Sequence, residues 1–234
     1  MTNLKIRGGY FSNRFIFLFT LCILCGSIDA QDFKTVHDGV EYAEVTRVVG
    51  DLPVRMNLLR LDLKKVRLDV VHAMDAAIGT EKTSSIATRH GAVAAINAGF
   101  FRLDKSQFAG DAAGLLVIDG ELYSESTNGR TALVLGSHKN STYVLAIEHI
   151  DAYARVYMNK LLLPEIKGIN RERRKGEAVL YSRKFGVTTL TAPTGTEVIL
   201  TNCKESTCRQ FEILENAGNS AIPTTGYVIS IDPE

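Results

Sequence analysis

The chain has 234 residues, with 27 Lys and Arg set against 26 Asp and Glu. So even a balance leaves no basic field of the kind that draws a chain onto nucleic acid or anionic lipid. After the first thirty residues no apolar run approaches the roughly 20 residues needed to span a bilayer, so no stable membrane insertion is expected of the mature chain.

The start of the chain sets the expected compartment. Residues 1–14 carry Lys5, Arg7 and Arg14 and no acid, residues 15–25 are an uncharged apolar run, and Gly26, Ser27 and Ala30 follow. A basic segment, a short apolar core and a small-residue exit form the pattern of a secretory signal peptide. Eleven helical residues rise only about 16 Å, well short of the roughly 30 Å hydrocarbon layer, which argues against an uncleaved anchor. Residues 1–30 are therefore read as a signal peptide cleaved near Ala30, and the mature chain as secreted or periplasmic. Cleavage leaves 24 basic and 25 acidic residues and two of the four cysteines, Cys203 and Cys208. In an oxidising compartment this pair is expected to close a local disulfide, two free thiols being the alternative. A metal half-site lacks a second Cys/His cluster to complete it.

Residues 31–53 read as a lead-in. In residues 54–71, Leu59, Leu61, Leu63, Val66, Leu68 and Val70 alternate with charged residues, predicting a hairpin or bent strand with one buried face. One helix is predicted over 84–90, with Thr83 as its cap and Gly91 as its stop. Residues 92–96 form an apolar run without alternation, predicting a strand covered on both faces and thus a strand–helix–strand crossover. Asp119-Gly120 between 115–118 and 121–123 predicts a tight hairpin. A second hairpin is predicted for 131–135 with 143–147. Further strands are expected at 154–158, 178–181, 197–200, 211–214 and 227–231, the last of them either an edge strand or one leading into a further segment. The basic stretch 167–175 reads as a polar connection. The expected class is α+β, a strand-rich mixed sheet with hairpins and one helix crossover. Asn140-Ser141-Thr142 is a formal glycosylation sequon in a turn.

Three places carry residues suited to a binding site. Asn97, Gly99, Phe100 and Phe101 follow the apolar run 92–96, where a strand end can present an amide and a phenyl face to a sugar; the alternative is a capping Asn with two core rings. Asn170, Arg171, Arg173 and Arg174 precede the strand at 178–181, and arginines there can clamp a phosphate or lie in a solvated loop. Arg130 precedes a strand after Asn128-Gly129. The five histidines are scattered without ligand spacing, and no nucleophile elbow or phosphate-binding glycine loop occurs. Asp104 and Asp111 lie after Phe101 without enough oxygen ligands for calcium, so neither metal nor cofactor is expected.

Taken in order, Ala94-Ala95-Ile96-Asn97-Ala98-Gly99-Phe100-Phe101, Gly114-Leu115-Leu116-Val117-Ile118-Asp119-Gly120, Arg130-Thr131-Ala132-Leu133-Val134, Ile169-Asn170 with Arg173, Val179-Leu180-Tyr181, and Ile222-Pro223 with Gly226-Tyr227-Val228-Ile229-Ser230 resemble the phosphodiester glycosidase domain. The resemblance runs over residues 54–231. It implies an exported hydrolase that cleaves a sugar-1-phosphodiester, releasing a sugar of the N-acetylglucosamine type from a phosphoglycan. It also implies that Asn97, Gly99 and Phe100 line the pocket, joined by Arg130, Asn170 and Arg173, the last two on the phosphate. Domains of this family continue past the Gly-Tyr-Val strand into a part with an Asp-Gly-Gly-Gly-Ser element. The resemblance therefore covers the N-terminal half to two-thirds of such a domain, and residues 54–234 are expected to form an incomplete one. An inactive descendant that binds carbohydrate or serves as an envelope module is the other reading.

Overall fold

A computed structural model describes residues 32–127, 129–138, 141–158, 160–204 and 206–233. Residues 1–30, read as a signal peptide, and Asn140 of the sequon lie outside the described residues. Strands take 45% of the structure and helices 5%, so the expected strand-rich, hairpin-built architecture with one helix is present, and with so little helix it is mainly β, only roughly the α+β class expected. The chain divides after Asp62 into two compact units.

The first unit is an antiparallel sheet of β1 (Lys34–His37), β2 (Val40–Val49) and β3 (Leu52–Leu61) in the order β1-β2-β3. Residues 31–53, expected to be a lead-in, thus supply two of its strands. The strand expected over 54–71 stops at Leu61, because its hairpin partner comes from the preceding β2 and not from the alternating residues that follow. Cross-strand pairs reinforce the register: Arg60 Nε donates to Glu41 Oε2 at 2.5 Å, Tyr42 donates to Asn57 at 2.6 Å, and Arg55 pairs with Glu44.

In the second unit, helix α1 covers Thr83–Arg89. Thr83 is its first residue and not its cap; its hydroxyl leaves the backbone and donates to Asn97 Oδ1 at 2.6 Å. The C-terminus closes as expected: Gly91 N–H reaches Thr88 O and Ala92 N–H reaches Ala87 O, the paired bonds of a Schellman ending. The predicted strand–helix–strand crossover is absent. Residues 92–96 form no strand, and Val93 and Ile96 are 56% and 75% exposed. An apolar run becomes a strand only where another strand lines its backbone, and among the described residues none does so here.

Hairpins follow. β4 (Leu116–Ile118) and β5 (Glu121–Ser124) turn at Asp119 and Gly120, with φ of 52° and 80° as a type I′ turn requires. β6 (Thr131–His138) pairs with β7 (Ser141–His149). The strand expected at 154–158 is reduced to β8 (Tyr157–Met158), paired with β9 (Leu161–Leu162).

The main sheet has five strands: β10 (Ile166–Ile169), β11 (Ala178–Ser182), β12 (Gly195–Lys204), β13 (Thr207–Ala217) and β14 (Tyr227–Ile231), in the order β10-β11-β14-β12-β13. Only β10 and β11 run parallel. β14, for which an edge position was one expectation, is the central strand, and its Val228, Ile229 and Ser230 are completely buried. Successive residues of a strand face opposite sides, so β14 feeds two cores. Val228 packs with Val179, Tyr181, Phe185, Phe108 and Ile222 on one face, and Ile229 packs with Val198, Ala178, Ile166 and Ile169 on the other. Each such buried side chain contributes roughly 1.5–3 kcal/mol.

Cys203 and Cys208 face each other across β12 and β13 and form a disulfide, as expected. It closes a loop of only six residues, so reduction is expected to cost about 2 kcal/mol on the chain-entropy estimate. Urea unfolding with and without reductant measures this; equal midpoints would show that the hairpin holds its own end.

Candidate functional site

The six residues expected at a binding site separate into two groups. Asn97, Gly99, Phe100 and Arg130 lie on an open surface, while Asn170 and Arg173 are packed into the sheet.

The open group is built on the loop between residues 97 and 114. Phe101 bridges Ala112 in antiparallel fashion, Arg102 N–H donates to Asp111 O, Gly110 N–H donates to Arg102 O, and Ala113 N–H donates to Phe100 O. Gly110, at φ +92°, lies against the backbone of Gly79; a Cβ there would come within 1.9 Å of Gly79 O, so only glycine closes this loop. Phe100 is 79% exposed, and the Arg130 guanidinium lies 5.7 Å from its ring centroid while donating to Ala113 O at 2.9 Å. The ring is therefore neither a core ring nor loosely placed: a cation–π contact and a backbone anchor hold the pair. Asn97 is exposed, with its amide oxygen taken by Thr83. Gly99 has open space around its Cβ direction and no left-handed φ, so nothing in its own surroundings demands glycine.

Asp111 follows from the same loop, and sequence spacing gave it no role. It is partly buried, and burial followed by the nearby charge of Glu125 pushes its carboxyl up to about 6, with Arg171, Arg102 and Arg174 pulling the other way. Asp104, in the same loop, behaves oppositely: the Ser106 hydroxyl, Arg102 and the Ser106 N–H hold it down at about 2. Arg102 also pairs with Glu172 at 2.5 Å. The loop thus carries one aspartate held below the usual carboxylate range and one pushed above it.

That shift has a consequence for stability. Asp111's folded pKa is raised, so the stability linked to its proton is fully present below pH 4 and is lost as pH rises through 6. After discounting for its partial exposure, the loss is about 1–2 kcal/mol. Asp111→Asn is expected to remove this drop and to be more stable than the parent at pH 8, which unfolding midpoints at pH 4.5 and 8 will check. A parent and variant with identical pH profiles would contradict the placement.

Asn170 is completely buried at φ 54°. Its amide nitrogen donates to Tyr123 O and Leu122 O, and its oxygen accepts from Ser182 N–H and hydroxyl, so the amide ties β5 to β11. Arg173 is 3% exposed at its side chain and bonds Ser230 Oγ at 2.8 Å, Ala192 O at 3.1 Å and Asp232 at 3.1 Å. The stretch 167–175, read as a polar connection, is strand to Ile169 and then a connection in which Arg171 and Arg173 are drawn in by charge pairs while Arg174 and Lys175 stay exposed. Its centre is Arg171, missed as a structural residue, which bonds Glu125 at 2.6 Å and Glu177 at 2.7 Å. Behind it lies Glu197, fully buried, which accepts from the hydroxyls of Thr189, Thr191 and Ser230 and from Ser220 N–H. No sequence signal marked Glu197; its pattern is that of an ordinary alternating strand.

An open depression of about 470 Å³ is lined by Gln107, Leu190, Thr191, Pro193, Gly218 and Asn219, and none of the six expected residues lines it. Among the described residues no three His, Cys, Asp or Glu side chains are grouped to hold a metal ion, and no helix is long and apolar enough to cross a membrane.

No protein-family profile matches the chain, and no curated protein matches it. A crystal structure of a hypothetical protein from Synechocystis is similar, with a TM-score of 0.66 at 18% identity over 88% of this chain. That likeness shows a shared fold. This chain spans 38% of the length of that protein.

Proposed function

We propose that this chain is an exported domain of the phosphodiester glycosidase type that binds a sugar-1-phosphodiester and assists its hydrolysis. The observation that carries the reading is the exposed Phe100 ring with the Arg130 guanidinium over it, on the loop that also bears Asp111. A ring face stacks on the apolar face of a pyranose, a guanidinium meets a phosphodiester anion, and the Asn97 amide can hold a sugar hydroxyl. Asp111, protonated through mildly acidic pH, is suited to protonate a leaving oxygen as the glycosidic bond breaks. Asn170 and Arg173 support this surface by fixing the sheet beneath it. The Cys203–Cys208 disulfide fits an oxidising compartment.

The test is release of free N-acetylglucosamine from its methyl phosphodiester at pH 5–7. Release is expected, with Phe100→Ala raising KM and Asp111→Asn lowering kcat by roughly a hundredfold. Absence of both turnover and binding would end the proposal. The second reading, a carbohydrate-binding module without catalysis, is favoured by the openness of this surface, on which Phe100 is 79% exposed. Binding of the diester without sugar release would select it.

A further inference from the structure

We propose that β13 is an interface strand through which two copies of this chain pair edge to edge, antiparallel, about a two-fold axis at Glu212. β13 closes one side of the five-stranded sheet, bonded to β12 alone. It is eleven residues long and, from Glu215 to Thr207, pairs with β12 without a bulge. It contains no proline, and its one irregularity, Asn216 at φ 51°, lies outside that regular stretch; the charges of Arg209, Glu212 and Glu215 hold off a strand that does not match them. Its outer row of N–H and C=O groups is therefore open for pairing.

The side chains fix one partner and one register. Phe211 and Ile213 lie opposite Leu200 and Val198 of β12, on the face that packs the Ile229 core, yet they are 46% and 45% exposed. The apolar layer of that face continues to the sheet edge and stops uncovered. An antiparallel two-fold normal to the sheet sets residue i opposite its mirror about the axis residue. With the axis at Glu212, Phe211 meets Ile213 and Arg209 meets Glu215, each contact occurring twice, all on one face. An axis at Phe211 would set Arg209 against Ile213, and one at Ile213 would set Phe211 against Glu215. Of these three registers only the one at Glu212 matches charge with charge and apolar with apolar on this face; on the other it sets Gln210 against Leu214. Among the described residues neither Arg209 nor Glu215 has an ion-pair partner within its own chain, and both are exposed. The occupant that satisfies them is a second copy of the same strand, which joins two five-stranded sheets into one. Glu212 meets its own copy at the axis on the opposite face, a built-in opposing charge.

Sedimentation of the purified protein over a dilution series tests this. A reversible monomer–dimer equilibrium is expected. Glu215→Arg should weaken it by roughly tenfold or more, because two attractive pairs become repulsive, and Arg209→Glu with Glu215→Arg should restore it to within about threefold. Glu212→Gln should tighten it, which association through a generic apolar patch would not produce. Circular dichroism will show that these surface variants keep the parent's fold. A protein that stays monomeric at the highest concentration, or a dimer equally stable in Glu215→Arg, overturns the proposal.

Discussion

Replacing Glu197 with alanine is expected to cost about 3–5 kcal/mol of unfolding free energy, enough to lower the melting temperature by about 10 °C. The side chain is fully buried in β12. Burial by itself would raise its pKa, yet the Ser220 N–H and the hydroxyls of Thr189, Thr191 and Ser230 together hold it below the usual carboxylate value. Three donors lie at 2.7–2.9 Å from one oxygen and the fourth at 3.0 Å from the other. Arg173 donates to Ser230, so a guanidinium stands one hydroxyl behind the carboxylate. Alanine would leave four donors turned into a dry space, whereas Glu197→Gln keeps the shape and loses charge, at roughly 1–3 kcal/mol. Because the folded pKa is depressed, the stability from Glu197 is present above pH 4.5 and is lost as pH falls below it. Urea midpoints at pH 7 and pH 3.5 for the three proteins will measure both effects. A loss under 1 kcal/mol for alanine at pH 7 would mean that the hydroxyls re-pair among themselves.

Arg171→Met is expected to be as damaging, at about 3–5 kcal/mol, because it strips the cation from two carboxylates at once. The guanidinium bonds Glu125 and Glu177 and also donates to Lys167 O and Glu172 O, at 2.6–2.8 Å. It fits because residue 168 is glycine: a Cβ there would come within 2.5 Å of the Arg171 Cζ. Lysine, a point charge without the fork, should recover less than half of the loss. A second readout separates this residue from an ordinary structural one. Arg171 is the largest charge holding Asp111 down, so its removal should move the Asp111 titration, followed by carboxyl NMR, above 6. An unmoved Asp111 would show that the two groups do not sense each other.

Local chemistry was legible wherever it decided the outcome locally. Asp119-Gly120 announced its hairpin because few other pairs accept two positive φ angles in a row, and the alternating runs at 131–135, 197–200 and 211–214 became strands. Placement was not legible. The Y-V-I-S-I strand does not say whether it lies at an edge or in the middle; that depends on β11 and β12, whose paired residues lie 27 to 53 positions earlier in the chain. The run 92–96 looked like a buried strand because apolar content reports a wish for cover, and it carries no information on what supplies the cover. The basic stretch 167–175 misled for the opposite reason. Arg171 and Arg173 looked solvated because their acids, Glu125, Glu177 and Asp232, come from three other places in the sequence. Phe100 and Arg130 were legible only as separate candidates, and the contact between them, 5.7 Å from guanidinium to ring centroid, was not, just as Asp111 needed its surroundings before it meant anything.

The threading of β14 between β11 and β12 also dictates an order of events during folding. Without Tyr227–Ile231 in place, the two halves of the main sheet are separate ribbons, and each hydrophobic layer lacks a residue of β14. Such wiring makes the closing of both layers wait on one stretch of long-range pairing, which slows folding.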